Sequence, residues 1–191
     1  GQFKQPNSLE ELSSTKNNDF IAKAAVTNTY AVARRLGGAY SYGQDNWSLT
    51  ASAFGRELTR NLAHGSGYGA RGTFAPINEK GQVLHFGLSY VDYDTDADSL
   101  RVRARPNADL ATVRLVDSGN LIDTDRVRTI GAEAMYFQGP FKAQAEYYTS
   151  RAKRYDHSNY SSDGYYVSGV WNVTGETWSY KGGTPRTRLP D

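Results

Sequence analysis

Arg101, Arg103 and Arg105 stand at every second position, separated by Val102 and Ala104. In extended backbone that spacing puts three guanidinium groups on one face and the two apolar side chains on the other. A row of planar forks offers a passing oxyanion successive charge-assisted hydrogen bonds, often bidentate. Along a water-filled passage such a row conducts anions, provided each site binds weakly enough to hand its ion to the next. In bulk solvent the same residues are only a charged loop, and their types and spacing leave both readings open. Arg114, Arg126 and Arg128 follow in the same polar stretch. Asp117, Asp123 and Asp125 lie near enough in sequence to neutralise them, which makes them weaker candidates.

Other chemistry finds little support. The chain has no cysteine, so it has no thiol nucleophile, thiolate metal site or disulfide. His64, His85 and His157 lack the spacing of a metal site, and His85 reads as an ordinary strand residue. Residues 67–72 fit Gly-x-Gly-x-x-Gly, yet they sit in a strand pattern with no helix after them, so no dinucleotide site is expected. Glu10/Glu11 and Asp96/Asp98 imitate a carboxylate dyad, but no apolar pocket is in view to raise either pKa. The 22 basic and 20 acidic residues are interspersed, without the basic face of a nucleic-acid binder. Neither an enzyme nor a cofactor is predicted.

The elements that must position the arginines read as strands. The 14 tyrosines, seven phenylalanines and 19 glycines, with a single methionine, suit strands and turns better than helices. Mean hydropathy is −0.65, and no apolar run approaches the ~20 residues of a spanning helix. From Arg34 the pattern has period two. A hairpin turns at 43–46, a second at 78–81 and a third, spanning Thr129 to about Arg154, at Gly139-Pro140. A last strand runs from Tyr165 to Val173. One face of these strands is apolar (Leu84, Phe86, Leu88 and Tyr90), and the opposite face is polar, as in Lys142, Gln144 and Glu146. Short turns alternate with long polar links at 57–66, 95–128 and 156–163, as in outer-membrane barrels. Tyr40, Tyr42, Trp47, Tyr90, Tyr147 and Trp171 fall near strand ends, where aromatic girdles sit. Residues 7–33 differ: they read as a long loop with one or two short helices, the first starting at Ser8-Leu-Glu-Glu11. On residues alone, a soluble β-protein remains an alternative.

Longer stretches resemble a known family. RVRARPNADLATVRLVDSGNL (101–121), FAPINEKGQVLHFGLSY (74–90), GPFKAQAEYY (139–148), GQFKQPNSLEELSSTKNNDF (1–20) and VTGE (173–176) resemble, in order, segments of the phosphate-selective porin O and P family. The resemblance implies an all-β, antiparallel transmembrane β-barrel of roughly sixteen strands in the Gram-negative outer membrane, trimeric when full length. This chain supplies seven or eight strands, about half a barrel, with residues 1–33 as strand end plus constriction loop and 34–191 as hairpins and long loops. It implies passive diffusion of phosphate or related anions, with outer-membrane lipid as the other partner. Arg101, Arg103 and Arg105 match the family's arginine ladder. Lys16 and Lys23 fall where the family places basic residues on an inward-folded loop, and Arg34 and Arg35 follow at the start of the next strand. Glu11 departs, standing where phosphate-selective members carry lysine. A carboxylate at a constriction favours cations, so Glu11 must turn away or pair with Lys16, or the channel is a general porin of low selectivity.

Overall fold

Alternating side chains build long strands. The computed structural model describes residues 1–59, 63–104, 106 and 112–187. Its first strands are β1 (Gln2–Lys4), β2 (Arg34–Gln44), β3 (Trp47–Phe54), β4 (Gly67–Glu79) and β5 (Gln82–Asp94). Four two-residue strands lie in the next link: β6 (Ser99–Leu100), β7 (Arg103–Ala104), β8 (Val116–Asp117) and β9 (Leu121–Ile122). Then come β10 (Thr124–Gln138), β11 (Phe141–Arg154) and β12 (Tyr160–Trp171), followed by a separate hairpin of β13 (Trp178–Lys181) and β14 (Thr184–Thr187).

Eight strands form one antiparallel sheet in the order β1-β2-β3-β4-β5-β10-β11-β12. Apart from the small strands of the 95–123 link, every neighbour in the sheet is also the neighbour in sequence, which is an up-and-down meander. β4, β5, β10 and β11 have 13, 13, 15 and 14 residues, more than the ~9–11 a tilted strand needs to cross a bilayer. The connections at 45–46, 80–81 and 139–140 gather at one end, and those at 5–33, 55–66, 95–123 and 155–159 at the other. Gly81 and Gly139 have φ of 82° and 53°, the left-handed backbone that a two-residue hairpin favours.

Strand boundaries differ from those the pattern predicts. β4 begins at Gly67, within the strand pattern of 67–72, and its Pro76 is tolerated because the register with β5 shifts between Phe74 and Ile77; proline suits a bulge, where no ladder donor is needed. β12 runs Tyr160–Trp171 rather than 165–173, so the expected long link at 156–163 is only 155–159. Ser161, Ser162 and Asp163 look like loop residues, but their backbones pair with Arg151, Ser150 and Thr149. Ladder pairing here overrides side-chain propensity.

The two faces of the sheet differ. Leu49, Phe74, Phe86, Leu88, Val167 and Trp171 are exposed on one, as a lipid-facing wall requires. The other carries Arg71, His85, Glu133, Lys142 and Glu146, all buried. It is covered by segment 5–33 and by the β13–β14 hairpin, which the sequence pattern did not reveal. Within that segment lie α1 (Leu9–Leu12), a 3-10 turn at Thr15–Asn17 and α2 (Ala25–Tyr30), in agreement with the expected short helices. Ser8 caps α1, its Oγ accepting the Glu11 N–H at 3.0 Å. That bond satisfies one of the helix's orphan donors. Leu9 enters an apolar cluster with Val83, Met135, Phe137 and Trp178, and burial of such a side chain contributes roughly 1.5–3 kcal/mol.

Candidate functional site

Segment 5–33 is held by one carboxylate of the sheet. Glu146 lies on the covered face of β11 because it alternates with the outward Ala145 and Tyr147. Its oxygens accept the backbone N–H groups of Leu9 and Glu10, both at 2.9 Å, and the Ser8 hydroxyl at 3.4 Å. The Tyr148 and Tyr166 hydroxyls complete the shell at 2.7 and 2.8 Å. A carboxylate so supplied with donors is stable away from water. Three further contacts tie the segment to the wall: Gln5 accepts from Ser52 at 2.9 Å, Asn7 O from Ser89 at 3.3 Å, and the Tyr30 ring stacks on Tyr148 with centroids 5.8 Å apart.

Beside this anchor, on the register partner Glu133, lies a buried polar network. Arg71 Nε donates to Glu133 at 3.1 and 3.2 Å, and Arg71 Nη2 also donates to Gly183 O at 2.8 Å. His85 sits between Glu133, 2.8 Å away, and the Tyr180 hydroxyl, 2.6 Å away. Asp19 pairs with Lys142 at 2.5 Å and accepts the Trp178 indole N–H at 3.1 Å. These groups fasten both the segment and the β13–β14 hairpin to the sheet. His85 is therefore a network member, not the ordinary strand residue expected.

Charge concentrates around Glu11. It forms ion pairs with Lys23 and, at 3.6 Å, with Lys4. Lys4 Nζ also donates to the carbonyls of Glu11 and, at 3.2 Å, Ser13. Arg34 is the register partner of Lys4 in the β1–β2 pair. Glu11 thus neither turns away nor pairs with Lys16; two cations, Lys4 and Lys23, hold it, and Arg34 lies beside Lys4. Glu10, its neighbour, accepts the Ala24 N–H at 3.1 and 3.3 Å, and burial pushes its carboxyl above the usual range. Lys16 is exposed in the 3-10 turn and has no ion pair among the described residues.

The arginine row is only partly brought together. Arg101 donates to Asp117 through two nitrogens, at 2.7 and 2.5 Å, a bidentate pair that holds the Asp117 carboxyl down at about 2. Arg103 lies on β7, opposite Asp117 in the β7–β8 register. β7 approaches α2 of the constriction segment. Arg105 lies outside the described residues. Arg35 braces the wall rather than facing the passage freely: its Nε and Nη2 donate to Gly55 O and Gly65 O at 2.9 and 2.8 Å, between the rings of Phe54 and Tyr93. Asp117 serves Arg101, and it is Asp92 that binds Arg126 and Arg128. For Arg126 and Arg128 the hydrogen-bonded carboxylate is therefore Asp92, not one of those named from sequence proximity. Sequence reasoning missed Lys4, Glu133 and Glu146; the one available signal was the charged face of β11.

A sheet with an apolar exposed face, a polar covered face and a folded-over segment of mixed charge fits part of the wall of an outer-membrane β-barrel. All of residues 1–191 match the family described as phosphate-selective porin O and P, and the chain belongs to it. It is 30% identical to a Porin O of Pseudomonas aeruginosa over 58% of this chain and 30% of that protein. It is 29% identical to an uncharacterized protein of Caulobacter vibrioides over 95% of this chain and 39% of that one. The chain thus spans about a third of the length of these relatives.

Proposed function

We propose that this chain contributes the wall and the constriction of a passive channel for anions, phosphate foremost, which assembles as a trimer. One observation carries the reading: the carboxylate at the constriction, Glu11, is outnumbered by its ion-pair partners Lys4 and Lys23, with Arg34 beside Lys4 in the register. Its charge is spent within an ion-pair cluster, and the cluster stays net positive. Lys16 adds a cation on the same segment, and Arg101 and Arg103 line the approach from the long link. The paired sites are individually moderate, since Lys4, Lys23 and Arg101 share their charge with a neighbouring carboxylate, and moderate sites in series favour throughput.

A general porin of low selectivity is the second reading, supported by the pairing of Arg101 with Asp117. The zero-current potential across a planar bilayer under a KCl gradient separates the two. With the channel expressed from its complete reading frame, the anion reading expects a clear chloride preference and a chloride current reduced by added phosphate. It also expects Glu11→Gln to strengthen, and Lys23→Gln to weaken, that preference. A potential near zero that neither substitution moves would leave the porin but remove the phosphate pathway.

A further inference from the structure

Four cations face outward near the long-link end of the wall. Arg126 and Arg128 lie on β10, in the same outward row as the exposed Ile130. Their register partners on β11 are Lys153 and Arg151. The side chains of Arg128 and Lys153 are 55% and 60% exposed. Arg151 is exposed and has no hydrogen-bond or ion-pair partner among the described residues. Like charges directly opposite one another across a strand pair are destabilising, and here two consecutive rungs carry them. Such an arrangement persists where a counter-charge lies over it.

Part of that counter-charge is built in. Asp92, register partner of Arg128 on β5, is 1% exposed. It accepts from Arg126 Nε at 2.7 Å, Arg128 Nε at 2.8 Å and the Tyr90 hydroxyl at 3.1 Å. One buried carboxylate thus fixes two guanidinium groups in place and neutralises one of them. Three further acids share this rim. Asp94 Oδ1 is taken by the Asp96 N–H, Asp125 lies 3.7 Å from Lys153, and Asp163 is the register partner of Thr149. Arg151 and the terminal nitrogens of Arg128 are left unanswered.

Position identifies what answers them. Tyr147 and Tyr165, register partners on β11 and β12, are exposed on the same face, the amphipathic ring level of a membrane boundary. Arg128 and Arg151 lie beyond that level, toward the end with long links, which is the outer-leaflet side of an outer-membrane barrel. We infer that this block is a docking site for a lipid of that leaflet whose headgroup carries phosphate monoesters. Arg151 and Arg128 grip phosphate oxygens, Lys153 adds a point charge, and the acyl chains lie against the wall below the tyrosines. Guanidinium forks match phosphate geometry. The inference depends on the outer-membrane location and not on the ion that the channel conducts.

The test uses the channel from its complete reading frame, purified in detergent. It is incubated with diphosphorylated lipid A and, separately, with the same lipid stripped of phosphate, and bound lipid is counted by native mass spectrometry. The site predicts retention of the phosphorylated form on the order of tenfold above the stripped form, as two to four interfacial cations support. It also predicts loss of that advantage in Arg151→Gln/Lys153→Gln, a variant that leaves the Asp92 clasp untouched, while Lys80→Gln at the opposite end retains it. Equal retention of the two lipids, or an undiminished advantage in the double variant, would overturn the inference. The zero-current potential of the double variant stays that of the parent, which keeps this outcome separate from the anion reading.

Discussion

Glu11 lies between Lys4 and Lys23, whereas Glu10, one position earlier, has a backbone N–H of Ala24 for a partner. The two carboxylates answer differently to pH. Burial raises the Glu10 pKa above its ordinary value, so its proton binds on acidification before an exposed glutamate, near ~4.3, would take one up. Protonation removes a negative charge beside the passage. The anion preference read from the zero-current potential should therefore rise as pH falls, beginning above the normal glutamate range. In Glu10→Gln that step should vanish. Asp117 gives no such step in the same window, because Arg101 keeps it ionised down to about 2.

At the level of elements, segment 5–33 and strand β11 act as one unit through Glu146. Replacing it by alanine strands the N–H groups of Leu9 and Glu10. Each buried donor left unpaired costs about 1–3 kcal/mol, more than so short a segment can absorb. Glu146→Ala should enlarge single-channel conductance, increase current noise and expose residues 9–31 to protease, with the wall intact. Strand β5 shows a tighter constraint. A Cβ at Gly87 would sit 2.4 Å from Glu133 Oε1 and 2.7 Å from its Cγ and Cδ. Gly87→Ala should displace that carboxylate from Arg71 and His85 and lower the temperature at which the assembled channel unfolds on a heat-modifiability gel; unchanged migration would argue against the network. The strands themselves were legible because their alternation is set by the two solvents that the wall separates. Ser161 to Asp163 in β12 were not, because a ladder needs no apolar side chain. Nor were the partners of Arg101, Arg126 and Arg128, since register across β5, β8 and β10 decides them and sequence proximity does not.

For the whole molecule, the sheet has two outer strands, β1 and β12, each paired on one side within it. Unpaired backbone groups facing hydrocarbon cost several kcal/mol apiece. The 191 residues expressed alone should therefore give no stable conductance in a planar bilayer and no heat-modifiable species, while the complete reading frame gives both. Discrete channel openings from the isolated chain would show that the edges can close or pair between copies. The general character of the fold, all-β with one lipid-compatible face, was readable from composition and period. The cover over the opposite face was not, because it depends on where β13–β14 and the constriction segment return to the sheet.

The bond between Ser8 and Glu146 joins residues 138 positions apart. Closing so large a loop has an entropic cost that contacts repay only late, which slows the step that makes them. Segment 5–33 is synthesised before strands β2 to β10, yet its anchor arrives only with β11. The segment therefore settles on the sheet only after the intervening hairpins have been added, in one late event.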